Sequence, residues 1–270
     1  MFNLSEAFQG TIGPAKNFSL YLDNGKIESM KFSDINFSPV PHIESSNIND
    51  VTFTSSNIRH IEIFKSKLDK VLFNNSDLQK TILTEINAKE LKLNGINLKN
   101  AQISSTSFSK SYFNEVDLKG STIYLFQLND SKFTGCNFTE TNIDPGSNTI
   151  DKSYFINCIF LNTEAPSLQI YDSTTRNCEI NNSNFFHQHA INCRFENLKV
   201  TKTNFRKSKF RDTAFSKSTF TNVDFSNSYF DFSNLGNSTF TDCCFDNTHF
   251  SNTIKDKAKF INCTFTNSED

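Results

Sequence analysis

Large apolar residues recur at every fifth position through most of the chain. From Ile43 to Ile143, twenty of the twenty-one positions spaced by five are Ile, Leu or Phe. From Ile150 to Phe265, nineteen of twenty-four positions at the same spacing are Ile, Leu or Phe. A period of five fits neither the 3.6-residue turn of an α-helix nor the two-residue alternation of a β-strand. The pattern predicts a five-residue unit whose large apolar residue, here called the centre, points inward.

The other positions of each unit have their own character. The residue two places before the centre, here called the small position, is mostly Ser, Thr, Val or Cys. The residue just before the centre is often Asn or Asp, as at Asn57, Asp77 and Asp224, and we expect turn conformations and local backbone hydrogen bonds there. If each unit forms one side of a square coil, the centre and the small position both face a common axis. The sequence therefore predicts an all-β protein, a right-handed quadrilateral parallel β-helix of about twelve coils.

Centres twenty residues apart should stack in such a coil. One expected ladder consists of phenylalanines alone: Phe185, Phe205, Phe225, Phe245 and Phe265. The phase of the repeat breaks near residues 39–41 and 144–149, where it slips by one and by two residues. We assign residues 21–270 to the β-helix and residues 1–20 to an N-terminal cap or address segment. Lys255 is the one charged centre, which predicts a local bulge because a buried ammonium group is costly.

Two consecutive units, residues 218–222 and 223–227, read STFTN and VDFSN. They resemble the unit of the pentapeptide-repeat family, which runs small residue, Asp or Asn, Leu or Phe, Ser or Thr, then any residue. The resemblance covers about residues 20–267 and implies a shared architecture rather than a shared activity. With its 30 Phe residues, the chain is similar to the β-helical domain that precedes the catalytic part of some bacterial effector ubiquitin ligases. Other members of the family bind type II topoisomerases by imitating DNA, which requires a strongly negative surface.

The formal net charge of −2 excludes a strong overall field toward nucleic acid or an anionic membrane. The first residues lack the apolar stretch of a secretory signal, and no segment approaches the roughly 18 apolar residues of a membrane span. We expect a soluble cytoplasmic protein that contacts no membrane, with nucleic acid an unlikely partner. The alternative location is a host cell, reached by secretion without such a signal.

Candidate chemistry is sparse. Six of the seven cysteines occupy small positions and are expected to fill the core: Cys136, Cys158, Cys178, Cys193, Cys243 and Cys263. Cys244 is expected to face outward, and an odd cysteine count fits a reducing compartment. His187 and His189 face outward as a metal-chelating pair or, as we favour, a surface irregularity. No nucleophile triad, Gly-rich phosphate loop or isolated carboxylate pair stands out from the repeat, so we expect no enzyme activity, cofactor or metal.

Basic residues cluster between residues 199 and 217, where the only acid is Asp212. They predict a basic stripe for an acidic partner or phosphates, with a solvated face as the alternative: Lys199, Lys202, Arg206, Lys207, Lys209, Arg211 and Lys217. We expect no aromatic side chain among them, because the Phe residues of this segment face inward.

The repeat continues to Phe265, which predicts an apolar end that pairs with a second copy. The expected homodimer joins through Phe245, Phe250, Phe260 and Phe265. Taken together, the sequence favours a non-enzymatic protein-interaction scaffold or binding module. The alternatives are a bacterial effector delivered into host cells and a DNA mimic that binds type II topoisomerases.

Overall fold

The computed structural model describes residues 2–3 and 10–269 of the chain. The chain forms two compact units, residues 1–137 and 138–270. Each unit is built from short strands that pair in parallel with strands of the next coil. None of the described residues forms a helix with the length and apolar character of a membrane span.

The first unit contains twenty strands. They are β1 (Phe2–Asn3), β2 (Gly10–Ile12), β3 (Ala15–Phe18), β4 (Leu20–Asp23), β5 (Lys26–Glu28), β6 (Met30–Ser33), β7 (Ile35–Phe37), β8 (His42–Glu44), β9 (Asn47–Asn49), β10 (Thr52–Thr54), β11 (Glu62–Phe64), β12 (Lys67–Asp69), β13 (Leu72–Asn74), β14 (Ile82–Thr84), β15 (Asn87–Lys89), β16 (Lys92–Asn94), β17 (Gln102–Ser109), β18 (Tyr112–Asn114), β19 (Thr122–Asn129) and β20 (Lys132–Thr134).

The second unit contains sixteen strands. They are β21 (Asn142–Ile143), β22 (Thr149–Asp151), β23 (Tyr154–Ile156), β24 (Ile159–Leu161), β25 (Gln169–Tyr171), β26 (Thr174–Arg176), β27 (Glu179–Asn181), β28 (His189–Ile191), β29 (Arg194–Glu196), β30 (Lys199–Thr201), β31 (Lys209–Arg211), β32 (Ala214–Ser216), β33 (Thr219–Thr221), β34 (Tyr229–Asp231), β35 (Thr239–Thr241) and β36 (Lys259–Ile261).

Each coil advances by twenty residues, so centres stack on centres. Phe53 pairs with Phe73 in the first unit, and Phe220 pairs with Phe240 in the second. Three sides of the coil are strands, whereas the fourth side pairs through single residues, as in the series Asn184, Asn204 and Asp224. Both units are therefore right-handed, four-sided parallel β-helices with about twelve coils in all, which confirms the predicted fold class.

Coils turn at the residue two places after each centre, here called the corner residue. Its backbone is left-handed in unit after unit, for example at Asn222 and Asn227 with φ of 55° and 60°. A residue with a side chain loses roughly 1–2 kcal/mol in this conformation, and Asn tolerates it best after Gly. The corner N–H repays part of that cost by donating to the next coil, as Asn222 does to the Thr241 carbonyl at 2.9 Å. Our sequence analysis placed the turn one residue before the centre, which is wrong.

The residue before the centre has a different role on the fourth side of the coil. Its side-chain oxygen accepts a hydrogen bond from the backbone N–H two residues later, at 2.9 Å from Arg206 to Asn204 and 3.0 Å from Gln79 to Asp77. These local backbone hydrogen bonds are the ones expected for Asn and Asp at this position.

Residues at the small position bridge successive coils with their side chains. The Ser218 hydroxyl accepts a hydrogen bond from the Leu198 N–H at 3.1 Å and donates to the Ser216 carbonyl at 3.2 Å. The Cys178 thiol accepts from the Cys158 N–H at 3.3 Å in the same way. Since a buried N–H without a partner is costly, these contacts explain why Ser, Thr and Cys outnumber Ala there.

The phenylalanine ladder predicted from the sequence is present in the second unit. Ring centroids lie 5.5, 5.5, 5.1 and 5.2 Å apart along Phe185, Phe205, Phe225, Phe245 and Phe265. Rings of neighbouring sides meet edge to face, as Phe220 and Phe225 do at 5.7 Å. Both arrangements suit the charge distribution of aromatic rings, so the core is an aromatic stack as well as a buried apolar volume.

The irregular segments keep the core continuous. In the loop after Ile143, the buried Asn148 side chain donates to the Asp144 carbonyl at 2.6 Å, and the two inserted residues leave the repeat in phase from Ile150. The predicted cap or address segment, residues 1–20, falls partly outside the described residues. Within it, Gly10–Ile12 pairs with β6, so this part of the segment joins the β-helix.

Candidate interaction surface

The seven predicted basic residues lie on one coil and are spread over all four of its sides. Lys199 begins β30, Lys209 and Arg211 lie in β31, and Lys217 is the corner residue after β32. Lys202 and Lys207 are corner residues of the two intervening sides. The seven residues therefore encircle the coil, and no single face carries them all.

Three of the seven residues already have carboxylate partners. Lys199 Nζ lies 3.2 Å from Glu179, Arg206 Nε lies 3.7 Å from Asp224, and Arg211 Nε lies 3.6 Å from Asp212. Among the residues that the structure describes, the other four make no ion pair: Lys202, Lys207, Lys209 and Lys217. The available positive charge is thus carried by these four lysines.

Two of the unpaired lysines lie beside outward-facing aromatic rings. Lys207 Nζ lies 5.5 Å from the ring centroid of Phe186, and Lys209 Nζ lies 5.9 Å from that of Tyr229. His189 pairs directly with Lys209 in neighbouring strands, and Lys209 pairs with Tyr229 on its other side. We call Phe186, His189, Lys207, Lys209 and Tyr229 the aromatic–basic patch.

The patch corrects the expectation that no aromatic side chain would lie among these basic residues. Phe186 follows its centre and Tyr229 precedes its centre, so both occupy outward positions. The signal was present in the sequence, because the phase of the repeat assigns both residues to the surface. It was missed because the aromatic residues were searched within residues 199–217, whereas the coils stacked on either side supply them.

The paired histidines lie at one border of the patch. The rings of His187 and His189 are 5.0 Å apart between centroids and meet edge to face. Burial, followed by the nearby charges of His187 and Lys209, lowers the pKa of His189. Its Nε2 atom is buried with no hydrogen-bond partner among the described residues. Within residues 10–269, no group of three or more His, Cys, Asp or Glu side chains is placed to hold a metal ion.

The cysteines at small positions behave as core residues. Cys136, Cys158, Cys178, Cys193 and Cys243 are buried, while Cys244 and Cys263 are partly exposed. Burial raises the pKa of Cys193 to about 11 and that of Cys243 to about 12, so both thiols stay protonated at neutral pH. A protonated, buried thiol is a poor nucleophile, which makes these two residues structural.

The four predicted end residues do not form one surface. Phe245 and Phe250 are buried, Phe260 is half-buried, and only Phe265 is exposed, at 40%. Ile254 and Ile261 are the other exposed apolar residues of the last described coils, at 56% and 46%. The apolar surface here thus comprises Ile254, Ile261 and Phe265 with part of Phe260, and excludes Phe245 and Phe250.

Lys255 is accommodated without the bulge expected from its charge. Ile254 pairs with Asn234, and its N–H donates to the Ser233 carbonyl at 2.8 Å, so the coil keeps its register. The Lys255 ammonium instead lies 4.2 Å from the ring centroid of Phe250, a cation–π contact. Burial lowers the pKa of Lys255, because part of its hydration is lost.

This contact predicts a pH-dependent stability. Because the pKa of Lys255 is lower in the folded state, the folded chain binds fewer protons than the unfolded chain between the two pKa values. The free energy of unfolding of the wild type should therefore rise with pH across that window, relative to Lys255→Met. Urea unfolding of both proteins from neutral to alkaline pH measures the difference. A stability difference that stays constant over this range would contradict the assignment.

A family model for pentapeptide repeats matches eight copies in the chain, over residues 81–120, 178–227 and 218–254. The matched segments have the buried centres and small positions described above. The chain belongs to the pentapeptide-repeat family. Membership accounts for the coil and its side-chain ladders, while the outward residues are particular to this pentapeptide-repeat protein.

Several solved structures are similar to this pentapeptide-repeat protein. HetL, a pentapeptide repeat protein involved in heterocyst differentiation regulation from the cyanobacterium Nostoc, is 12% identical over 80% of this chain and 87% of its own, with a TM-score of 0.40. QnrB1, a plasmid-mediated fluoroquinolone resistance protein, is 13% identical over 79% of this chain and 91% of its own, with a TM-score of 0.35. The A-module of the Azotobacter vinelandii mannuronan C-5 epimerase AlgE4 is 8% identical over 94% and 91%, with a TM-score of 0.33. No curated protein matches the chain in sequence.

Proposed function

We propose that this pentapeptide-repeat protein is a non-enzymatic scaffold that binds another protein through the outer surface of its coils. The aromatic–basic patch carries the proposal, because it combines unpaired ammonium groups with outward aromatic rings. Its side chains project from paired strands and hydrogen-bonded corners, so their spacing is fixed before a partner arrives. Such preorganisation lowers the entropy cost of binding.

Affinity capture with mass spectrometry tests this function. The wild type and a variant with Lys202, Lys207, Lys209 and Lys217 changed to Glu are exposed in parallel to bacterial and eukaryotic lysates. We expect the wild type to retain a specific protein that the variant loses, because the four unpaired lysines supply the available positive charge. Retention of no specific protein by the wild type from either lysate would contradict a scaffold function.

The same experiment separates two locations for the protein. We propose a cytoplasmic protein, with a bacterial effector delivered into host cells as the alternative. The buried thiols of Cys193 and Cys243 fit a reducing compartment, which both locations provide. A specific partner from the eukaryotic lysate alone would favour the effector, and one from the bacterial lysate alone would favour a regulator inside the bacterium.

A DNA mimic that binds a type II topoisomerase is the third candidate. A column of stacked corner residues in the first unit argues against it, because acids and lysines alternate along Asp50, Lys70, Glu90, Lys110 and Asp130. Alternation prevents a continuous negative surface of the kind that imitates DNA. We expect the protein to leave the supercoiling activity of DNA gyrase unchanged. Inhibition at concentrations comparable to that of the enzyme would favour the mimic instead.

We also propose that two copies associate through the apolar surface of the last described coils. Exposed Ile254, Ile261 and Phe265 support this proposal, since contiguous apolar side chains are stabilised by burial against a partner. Light scattering at micromolar concentration should give the mass of a dimer, and Ile261→Ser with Phe265→Ser should give that of a monomer. A wild-type monomer under these conditions would rule the dimer out.

A further inference from the structure

We propose that the aromatic–basic patch binds an acidic segment of a partner protein, in which carboxylate side chains alternate with apolar ones. This inference rests on the proposed scaffold function and adds the binding residues and the chemistry of the partner. The carboxylates would contact Lys207 and Lys209, and the apolar side chains would pack on Phe186 and Tyr229.

Charge supports the acidic component of the partner. Lys207 and Lys209 lie on adjacent sides of one corner, two residues apart, and neither makes an ion pair among residues 10–269. On the same coil, Lys199, Arg206 and Arg211 are each neutralised by a neighbouring carboxylate. The corner therefore concentrates the positive charge that intramolecular contacts leave available, and carboxylates of a partner would complement it.

Apolar surface supports the other component. Tyr229 is 39% exposed, and two further apolar side chains lie close by in the same strands or at their corner: Ile191 and Phe232, exposed by 37% and 57%. Aromatic residues next to cationic ones are the typical centres of protein interfaces. A polar surface loop that only needed to stay hydrated would have no use for an exposed Phe at a corner with φ of 52°.

The surroundings favour a protein segment over a nucleic acid. Carboxylates border the patch along the neighbouring corners and strands, at Asp172, Asp212 and Asp231. A polynucleotide carries a charge on every phosphate, so its backbone would meet these carboxylates as it left the patch. A peptide can place its acidic residues at Lys207 and Lys209 and present apolar or basic residues elsewhere. The net charge of −2 for the whole chain points the same way.

Fluorescence anisotropy with defined probes tests the proposal. The probes are a short labelled peptide of alternating Glu and Leu, the same peptide with Gln in place of Glu, and a labelled oligodeoxythymidine of equal charge. The test variant is Lys207→Glu with Lys209→Glu, and a second variant, Phe186→Ser with Tyr229→Ser, removes the rings. The matched control, Lys202→Glu with Lys217→Glu, makes the same change in net charge on other sides of the same coil.

We expect the Glu–Leu peptide to bind the wild type and the control alike, and to bind the Lys207/Lys209 variant at least about tenfold more weakly, because like charges would then face each other. The ring variant should also bind more weakly, and the Gln–Leu peptide should not bind. Thermal unfolding of each variant, followed by circular dichroism, verifies that all remain folded. Equal losses in the test and control variants, binding of the Gln–Leu peptide as tight as that of the Glu–Leu peptide, or tighter binding of the oligonucleotide would each overturn the proposal.

Failure here is distinguishable from failure of the scaffold function. If a specific protein is captured from lysate and the Lys207→Glu, Lys209→Glu variant captures it equally well, the protein is a scaffold that uses another surface. If no specific protein is captured at all, the scaffold function itself fails.

Discussion

Replacing Phe225 with alanine is expected to destabilise the folded protein by about 3–5 kcal/mol, the usual cost of removing a buried aromatic ring. Phe225 is almost fully buried in the middle of the phenylalanine ladder. Its ring stacks between Phe205 and Phe245, with centroids 5.5 and 5.1 Å away, and meets Phe220 and Phe230 edge to face. The coils on either side are held by their own backbone pairing, so they cannot close the cavity.

Phe265→Ala is the matched control for this prediction. Phe265 belongs to the same ladder and stacks on Phe245 at 5.2 Å, but 40% of its surface is exposed and no described residue stacks above it. Urea unfolding followed by circular dichroism should therefore show a clearly smaller loss for Phe265→Ala than for Phe225→Ala. Similar losses would mean that stacking along the ladder contributes less than simple removal of apolar surface from water.

Replacing Ser218 with alanine is expected to cost about 1–3 kcal/mol, although the change removes a single oxygen. The Ser218 hydroxyl is the partner of the buried Leu198 N–H and also donates to backbone carbonyls of Phe195 and Ser216. Without the hydroxyl, the Leu198 N–H is left unpaired inside the coil. The loss comes from that unpaired group, because alanine itself fits the small position.

Ser218→Cys provides the matched test of this explanation. Cys178 occupies the equivalent place in an earlier coil, where its thiol accepts from the Cys158 N–H at 3.3 Å. Cysteine should therefore recover part of the stability that alanine loses, measured by the same urea unfolding. If Ser218→Ala is as stable as the wild type, the hydroxyl of the small position has no role in joining the coils.

The fold could be predicted from the sequence because one repeated constraint acts at almost every unit. The period of five placed Phe225 and Ser218 inside before any coordinates were known, and it paired the correct rings of the ladder. The corner residue could not be assigned in the same way. Many residue types occur there, including Lys202, Lys207 and Phe232 with φ near 50°, because the backbone hydrogen bond to the next coil stabilises the turn whatever the side chain.

The candidate site was only half predictable. The cluster of positive charge was visible in residues 199–217, but its partition into paired and unpaired lysines depended on Glu179 and Asp224, which lie in neighbouring coils. Lys255 shows the same limit. Its charge signalled an irregular centre, whereas the ring of Phe250 decided that the coil stays in register and the ammonium packs on an aromatic face.

The sequence by itself determined the coil, the inward residues and the stacking of the phenylalanine ladder, because a residue's place in a five-residue unit dictates which way it points. Only the tertiary structure decided which outward residues meet. Phe186, Lys207 and Tyr229 are about twenty residues apart along the chain, and they come together because each coil advances by one strand spacing and returns to the same side. Contacts of this kind depend on the identities of residues in three coils at once, and no single stretch of sequence contains them.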